Sequence, residues 1–207
     1  MINFDDLETR TADERSAAQL EMLHLQIERA RQLDGYAGRL DSLLPGTLQG
    51  LSAYPVLRKA ELSEAQATRP PFGGFTSAGA SGFAHVFQSP GPIYEPGQVS
   101  RDWWRMGRFL HAAGVGSGDV VQNCFSYHMT PAGMIFENGA RTVGATVFPA
   151  GTGQTELQAR AAHDLGCTAY AGTPDYLAAI LEQGDAAGLP LKFTKAVVGG
   201  GALFPAM

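Results

Sequence analysis

The 207 residues carry a formal net charge of −5, an ordinary apolar fraction of 44% and lysine only at positions 59, 192 and 195. That is enough chain for one large domain or one and a half small ones, and with no basic run it leaves no footprint for nucleic acid. The start MINFDDLETR is acidic, without an apolar signal core, and no stretch is long and apolar enough for a bilayer, so no membrane partner and a cytoplasmic location are the expectations.

In chain order, Thr11 to Leu33 reads as a helix. Thr11 and Glu14 have capping-box spacing, Leu20, Leu23, Ile27 and Ala30 share a face, and Gly35 is a plausible stop. His24 lies off that stripe and is expected on the solvent side. Leu40 to Pro71 reads as irregular. The loop GGFTSAGASGFAH follows, flanked by PFGGF and FAHVFQS, which predict a strand–loop–strand arrangement. SPGPIYEPG reads as a proline-rich connector.

From Ser100 the pattern becomes regular. Ser100 can cap a helix burying Trp103, Met106 and Leu110, ended by Gly114. DVVQNCF is a strand. Thr130 and Pro131 open a helix as cap and first residue. ATVF is a strand. Thr155 and Gln158 predict another capping box, for a helix with Leu157, Ala161 and Leu165 closed by Gly166. CTAYA is a strand, Thr173 and Pro174 open a helix carrying Tyr176, Leu177, Ile180 and Leu181, and FTKAVV is a last strand before GGGALFPAM. Alternating short apolar strands and amphipathic crossovers predict an α/β fold, a parallel sheet covered by helices on both faces. Ligands of such sheets bind at the carboxyl ends of the strands, which singles out FSYHM, YAGTPDY and VVGGGAL.

Several chemistries are excluded. A P-loop needs a lysine where Ala80 stands, GVGSGD follows a helix and precedes a strand, and the glycine that a nucleophile elbow needs after Ser81 is Phe83. There is no C-x-x-C or H-E-x-x-H, so no metal site is expected, and Cys124 and Cys167 read as buried free thiols.

The loop TSAGASGFAH resembles the T-S-S-G-T-T-G-x-P-K loop of AMP-forming acyl-CoA synthetases, the adenylate-forming enzymes. Thr76, Ser77, Gly79 and Gly82 match, and Ser81 keeps a hydroxyl. Ala78 and Ala80 each lose one, Ala84 replaces the proline, and His85 stands where lysine is usual. The surrounding order is also similar to phenylacetate–CoA ligases, in YPVLRKAEL, GDVVQNCFSYHMTPAG, GATVFPAGTGQTELQ, GTPDYL and VVGGGALFP.

The resemblance implies ATP, Mg2+, coenzyme A and a small carboxylic acid as cofactors and partners. The acid would attack the α-phosphate, pyrophosphate would leave, and the CoA thiol would displace AMP. It implies a phosphate cradle at Thr76, Ser77, Gly79, Ser81, Gly82 and His85, an adenine contact at Gly199, Gly200, Gly201 and Ala202, and an acyl pocket at Tyr127, His128 and Gly133. Glycines and hydroxyls suit a departing pyrophosphate, because N–H and O–H groups donate and glycine allows close approach. Competing accounts stay open: His85 decorating a strand, His128 paired with a backbone carbonyl, Tyr127 and Tyr176 as packing, and the glycine triplet as a tight turn.

The family's enzymes are longer, and the segments holding magnesium, the ribose and the catalytic lysine have no counterpart here. The expectation is therefore a helical segment over 1–50 and an incomplete N-terminal adenylate-forming α/β domain over 51–207, a ligase fragment inactive by itself and prone to self-association through an open sheet edge. The alternatives are a non-catalytic remnant or binding module that keeps the fold, or an unrelated sheet protein using the glycines for another nucleotide.

Overall fold

The computed structural model describes residues 3–40 and 43–203. The chain parts into two compact units, Met1–Gln98 and Val99–Met207. The expected division at residues 50 and 51 falls inside the first.

In the first unit, α1 spans Ala12–Arg31. Its expected capping box is present: Glu14 N–H donates to Thr11 Oγ1 (3.2 Å), and Thr11 N–H donates to Glu14 Oε2 (2.8 Å). Those backbone and hydroxyl hydrogen bonds hold the Glu14 carboxyl below its usual range. The stripe ends in buried Ile27 and Ala30, as the periodicity requires. His24 departs from expectation, since its Nε2 lies 2.7 Å from the Pro45 carbonyl in a half-buried setting. The segment expected to be irregular holds a second helix, α2, over Lys59–Thr68. Its only buried residue is Gln66, so it has no apolar stripe to betray it. Gln66 Nε2 donates to the Tyr94 carbonyl (2.9 Å) and Tyr94 N–H donates to Gln66 Oε1 (2.8 Å), so a side-chain amide completes a strand's pairing.

The strand expected over PFGGF is absent. After α2 the chain turns through Pro70 to Phe75, and a single 3-10 turn, Ala80–Gly82, leads into β1 (His85–Ser89). The loop therefore joins a helix to a strand. The proline-rich connector is half strand: β2 (Ile93–Gly97) pairs antiparallel with β1, His85 opposite Gly97.

The second unit is the predicted α/β layer. α3 covers Gly107–Ala112, shorter than expected from Ser100. The preceding residues turn instead, with Asp102 and Arg105 at positive φ and Asp102 Oδ1 accepting from Gly107 N–H (2.8 Å). Leu110 is buried, whereas Trp103 is exposed. Then come β3 (Val120–Asn123), α4 (Ala132–Thr142), β4 (Thr146–Phe148), α5 (Thr155–Leu165), β5 (Ala169–Gly172), α6 (Pro174–Ala186) and β6 (Lys195–Val198). Pro131 stands at the cap of α4 rather than one residue inside it. The four strands are parallel in the order β4-β3-β5-β6. Leu110 of α3 and Ala140 of α4 pack with Val121, Ala169, Ala171 and Val197 in one core cluster. Ala159 of α5 and Ile180 of α6 pack with Cys124 and Tyr170 in the other.

The capping box expected at α5 is not formed. Gln154 precedes the helix in the left-handed conformation, and Gln158 turns inward. Its Nε2 donates to the carbonyls of Gly151 (3.0 Å) and Gly153 (2.9 Å), and its Oε1 accepts from Gln122 Nε2 (2.9 Å) and Cys124 Sγ (3.1 Å). The buried face is consequently Gln158, Ala159 and Ala162, and Leu157 and Leu165 are exposed. Both cysteines are buried and free, as read from the sequence. Burial pushes the Cys124 thiol up to about 12 and the Cys167 thiol up to about 11.

Candidate functional site: a glycine–serine loop and a parallel strand edge

Two places collect the candidate residues, one in each unit. In the first, residues Gly74 to Gly79 border two open hollows. One, of about 260 Å³, is lined by Arg69 to Phe72, Gly74 and Thr76 to Gly79. The other, of about 570 Å³, is lined by Arg29, Gln32, Leu33, Asp34, Arg69, Gly74, Thr76 and Ser77. Gly74 has φ +81° and its carbonyl accepts from Gly35 N–H (3.0 Å), in the 3-10 turn Asp34–Tyr36 that follows α1. A Cβ there would meet Gly35 N at 3.0 Å and Arg69 Nη1 at 3.2 Å, so glycine lets the guanidinium lie against the loop.

Thr76 Oγ1 donates to the Ala78 carbonyl (2.8 Å), which commits its proton to the loop's own shape. Ser77 is exposed at the rim of both hollows. Gly79 has open space around its missing Cβ, whereas a Cβ at Gly82 would strike Ala78 Cβ at 2.6 Å. Ser81, Gly82 and His85 border neither hollow. His85 stacks on Phe87, centroids 5.7 Å apart, and its Nδ1 is buried without a partner.

The second place is the carboxyl edge of the parallel sheet. The order β4-β3-β5-β6 reverses direction between β3 and β5, the position where open α/β sheets receive ligands. Here Asn123, fully buried, organises the turn that leaves β3. Its Nδ2 donates to Tyr127 Oη (2.8 Å) and to the Gly133 carbonyl (2.8 Å), and its Oδ1 accepts from Phe125 N–H (3.2 Å). Gly133 N–H closes the turn onto the Ser126 carbonyl (2.8 Å), and a Cβ at Gly133 would lie 2.7 Å from the Tyr127 ring. Burial, and then the nearby Glu137 carboxylate, push the Tyr127 phenol well above its ordinary value, so it is a neutral hydroxyl. Tyr127 and Gly133 are thus brought together. His128 is exposed on the outer side of the turn, its amide donating to Ser126 Oγ (3.1 Å).

Beyond β6, Gly199 N–H donates to the Gly172 carbonyl (3.1 Å) and Gly200 takes φ +73°, so part of the glycine triplet serves a turn. Missing side chains at Gly199, Gly200 and Gly201 point toward Phe125, Thr173 and Pro174, at 4.0, 3.7 and 3.3 Å. Ala202 is exposed, and residues 204–207 of the tail lie outside the described residues. Tyr176 donates its hydroxyl to the Gly153 carbonyl.

Two polar residues that the sequence analysis passed over, Arg69 and Asn123, border the candidate places, and Gln158, expected to cap α5, is buried instead. The available signal was an amide pair, Gln122 and Asn123, inside an otherwise apolar strand, since buried amides stay only where they are hydrogen-bonded.

The helix-flanked parallel sheet matches the fold of solved adenylate-forming ligases. The chain is similar over 86% of its length to crystal structures of 2-hydroxyisobutyryl-CoA ligase. One, in the postadenylation state with 2-HIB-AMP, shows 25% identity, a TM-score of 0.76 and 40% of its own chain covered. Another, an open conformation with 2-HIB-AMP and CoA, shows 24% identity, a TM-score of 0.78 and 42% covered. Among curated proteins, the chain is 27% identical over 212 residues to the phenylacetate-coenzyme A ligase of Aromatoleum evansii, covering 95% of this chain and 47% of the ligase. It is 29% identical over 207 residues to that of Escherichia coli strain K12, covering 91% and 46%. No protein-family model matches. The chain is thus similar to phenylacetate-coenzyme A ligases in sequence and to a CoA ligase in fold, and it spans about half the length of the curated relatives it matches.

Proposed function

We propose that these residues are part of an ATP-dependent, AMP-forming carboxylate–CoA ligase acting on an aryl or phenylacetate-type acid in the cytoplasm. The observation that carries it is the hollow beside Gly74–Gly79, where a serine hydroxyl, glycine backbone and a guanidinium converge in a chain alike to phenylacetate–CoA ligases. That donor set fits a phosphate-bearing group, because hydroxyl and backbone N–H groups donate and small side chains leave room.

ATP, when bound, would supply an activated α-phosphorus to the acid and pyrophosphate as leaving group. Ser77 would donate to the pyrophosphate, while the Thr76 hydrogen bond keeps the loop curled. At the strand edge, Asn123 holds the neutral Tyr127 ring as a pocket wall, and an apolar wall excludes water from the acid. The glycines after β6 would present backbone without side chains to a planar group. Among the described residues there is no group of three or more His, Cys, Asp or Glu that could hold a metal ion. Coenzyme A enters this proposal through the relatives alone. No helix among the described residues is long and apolar enough to cross a membrane.

A second reading, a non-catalytic module that keeps the fold, is favoured by one observation: His85, in the lysine's place, borders neither hollow. Titration calorimetry with Mg·ATP and with pyrophosphate, on the wild type and His85→Lys, tests the cradle. Saturable heat is expected, and no heat from either protein rules the cradle out. These 207 residues by themselves are expected to release no pyrophosphate from ATP and phenylacetate, because the resemblance assigns the magnesium, ribose and lysine functions to segments outside them. Detectable release overturns that expectation.

A further inference from the structure

Helix α5 keeps Gln158 in the core and turns an apolar row outward. Leu157, Ala161 and Leu165 stand four residues apart, so they form one ridge along the helix. Leu157 is 61% and Leu165 51% exposed, with the small Ala161 half-buried between them. The neighbouring helix α6 lies on the opposite flank. His163, about 200° round the helix from Ala161, points that way, its Nδ1 lying 3.0 Å from the Pro190 carbonyl beyond α6. The ridge therefore faces the β4 side of the sheet, where β4 pairs only with β3 among the described strands. Arg160 and Asp164, both exposed, border the ridge along one side.

We infer that this ridge is a docking face for a second copy of the chain, the two α5 helices packing antiparallel with Ala161 on a two-fold axis. Self-complementarity selects this occupant. With Ala161 against Ala161, Leu157 of each copy meets Leu165 of the other, and the alanines let the helices approach closely. In the same register, Arg160 of one copy and Asp164 of the other fall on the same side of the contact, offset by about 3 Å along the axis. A two-fold contact repeats every pairing, so two such ion pairs form together. An unrelated partner would have to supply the same apolar row with the same charges in reverse order, whereas the chain supplies it to itself. The face is small, so the contact makes a weak dimer that depends on concentration. It rests on α5 alone and stands apart from the ligase reading.

The test is sedimentation velocity of the full chain over a concentration series. The wild type is expected to pass from monomer to dimer as concentration rises. Leu157→Ser should weaken self-association tenfold or more. Arg160→Asp and Asp164→Arg each set like charges against one another across the contact, so each alone should weaken it to a similar degree. An equimolar mixture of those two variants should associate nearly as well as wild type, because each copy then meets its opposite. Leu181→Ser, which removes an exposed leucine from α6, should stay within twofold of wild type. The charge variants carry the test if Leu157→Ser does not fold. A wild type that stays monomeric up to millimolar concentration overturns the inference. So does a dimer that none of the α5 variants weakens, which would place self-association on another surface such as the open sheet edge. A mixture that associates no better than either charge variant alone overturns the antiparallel register.

Discussion

At the scale of single residues, Asn123 decides more than its place in a strand suggests. It makes three hydrogen bonds at the end of β3, and each fixes part of the turn that carries Tyr127, His128 and Gly133. Replacing it with alanine strands the Phe125 amide and the Gly133 carbonyl, which costs about 1–3 kcal/mol per buried group. Urea unfolding of Asn123→Ala should show a destabilisation of roughly 2–3 kcal/mol on that scale, and a loss within error would mean the turn is held otherwise. Gly133→Ala acts from the other side. The added methyl falls 2.7 Å from the Tyr127 ring, so the ring or the start of α4 must move, at about 1–3 kcal/mol for overpacking. The near-ultraviolet tyrosine signal should change with it.

At the scale of elements, the amino end of the sheet is pinned by Asp119. Both its oxygens accept from Lys195 Nζ at 2.7 Å, joining the start of β6 to the turn before β3. Thr168 Oγ1 (2.7 Å) and Gly116 N–H (2.9 Å) complete the set. Burial by itself would raise this carboxyl, but the Lys195, Thr168 and Gly116 hydrogen bonds outweigh it and hold it below the ordinary aspartate value of 3.8. A carboxyl lowered by folding stabilises the fold above its unfolded value, and that contribution disappears as the pH falls through the folded one. Stability should therefore drop on acidification below about pH 4, and Asp119→Asn should flatten that limb while costing about 1.5–3 kcal/mol at neutral pH. Chemical denaturation at stepped pH reads both. An unchanged acid limb in the variant would place the dependence elsewhere. The α5 helix teaches a related lesson: the periodicity of Leu157, Ala161 and Leu165 is real, but the carbonyls of Gly151 and Gly153 and the amide of Gln122 need donors and acceptors, and Gln158 turns inward to meet them.

At the scale of the whole molecule, the two buried thiols report on opening of the second unit. Cys124 and Cys167 have thiols raised by burial to about 12 and about 11, so they are protonated and shielded at neutral pH. Both should resist a disulfide reagent in the native protein and react together at the rate of global unfolding. A fast-reacting fraction of one thiol would show that its part of the core opens independently. The same scale sets what the ligase reading demands, since the chain spans about half of the relatives it matches and its two units hold separate candidate sites.

The alternation of strand and helix beyond Asp119, the Thr11–Glu14 cap and the buried cysteines were legible in the order of residues. Each depends on neighbours within a few positions, where periodicity, caps and turn chemistry act. Helix α2 was not legible, because it buries only Gln66 and is anchored by a strand 28 residues away in sequence. Nor was the inward turn of Gln158, or the arrival of Arg69 beside Ser77. Those depend on which buried polar group finds a partner, and on which charge the fold brings to a neutral loop. Such pairings are made through space between distant segments, so only the tertiary structure decides them.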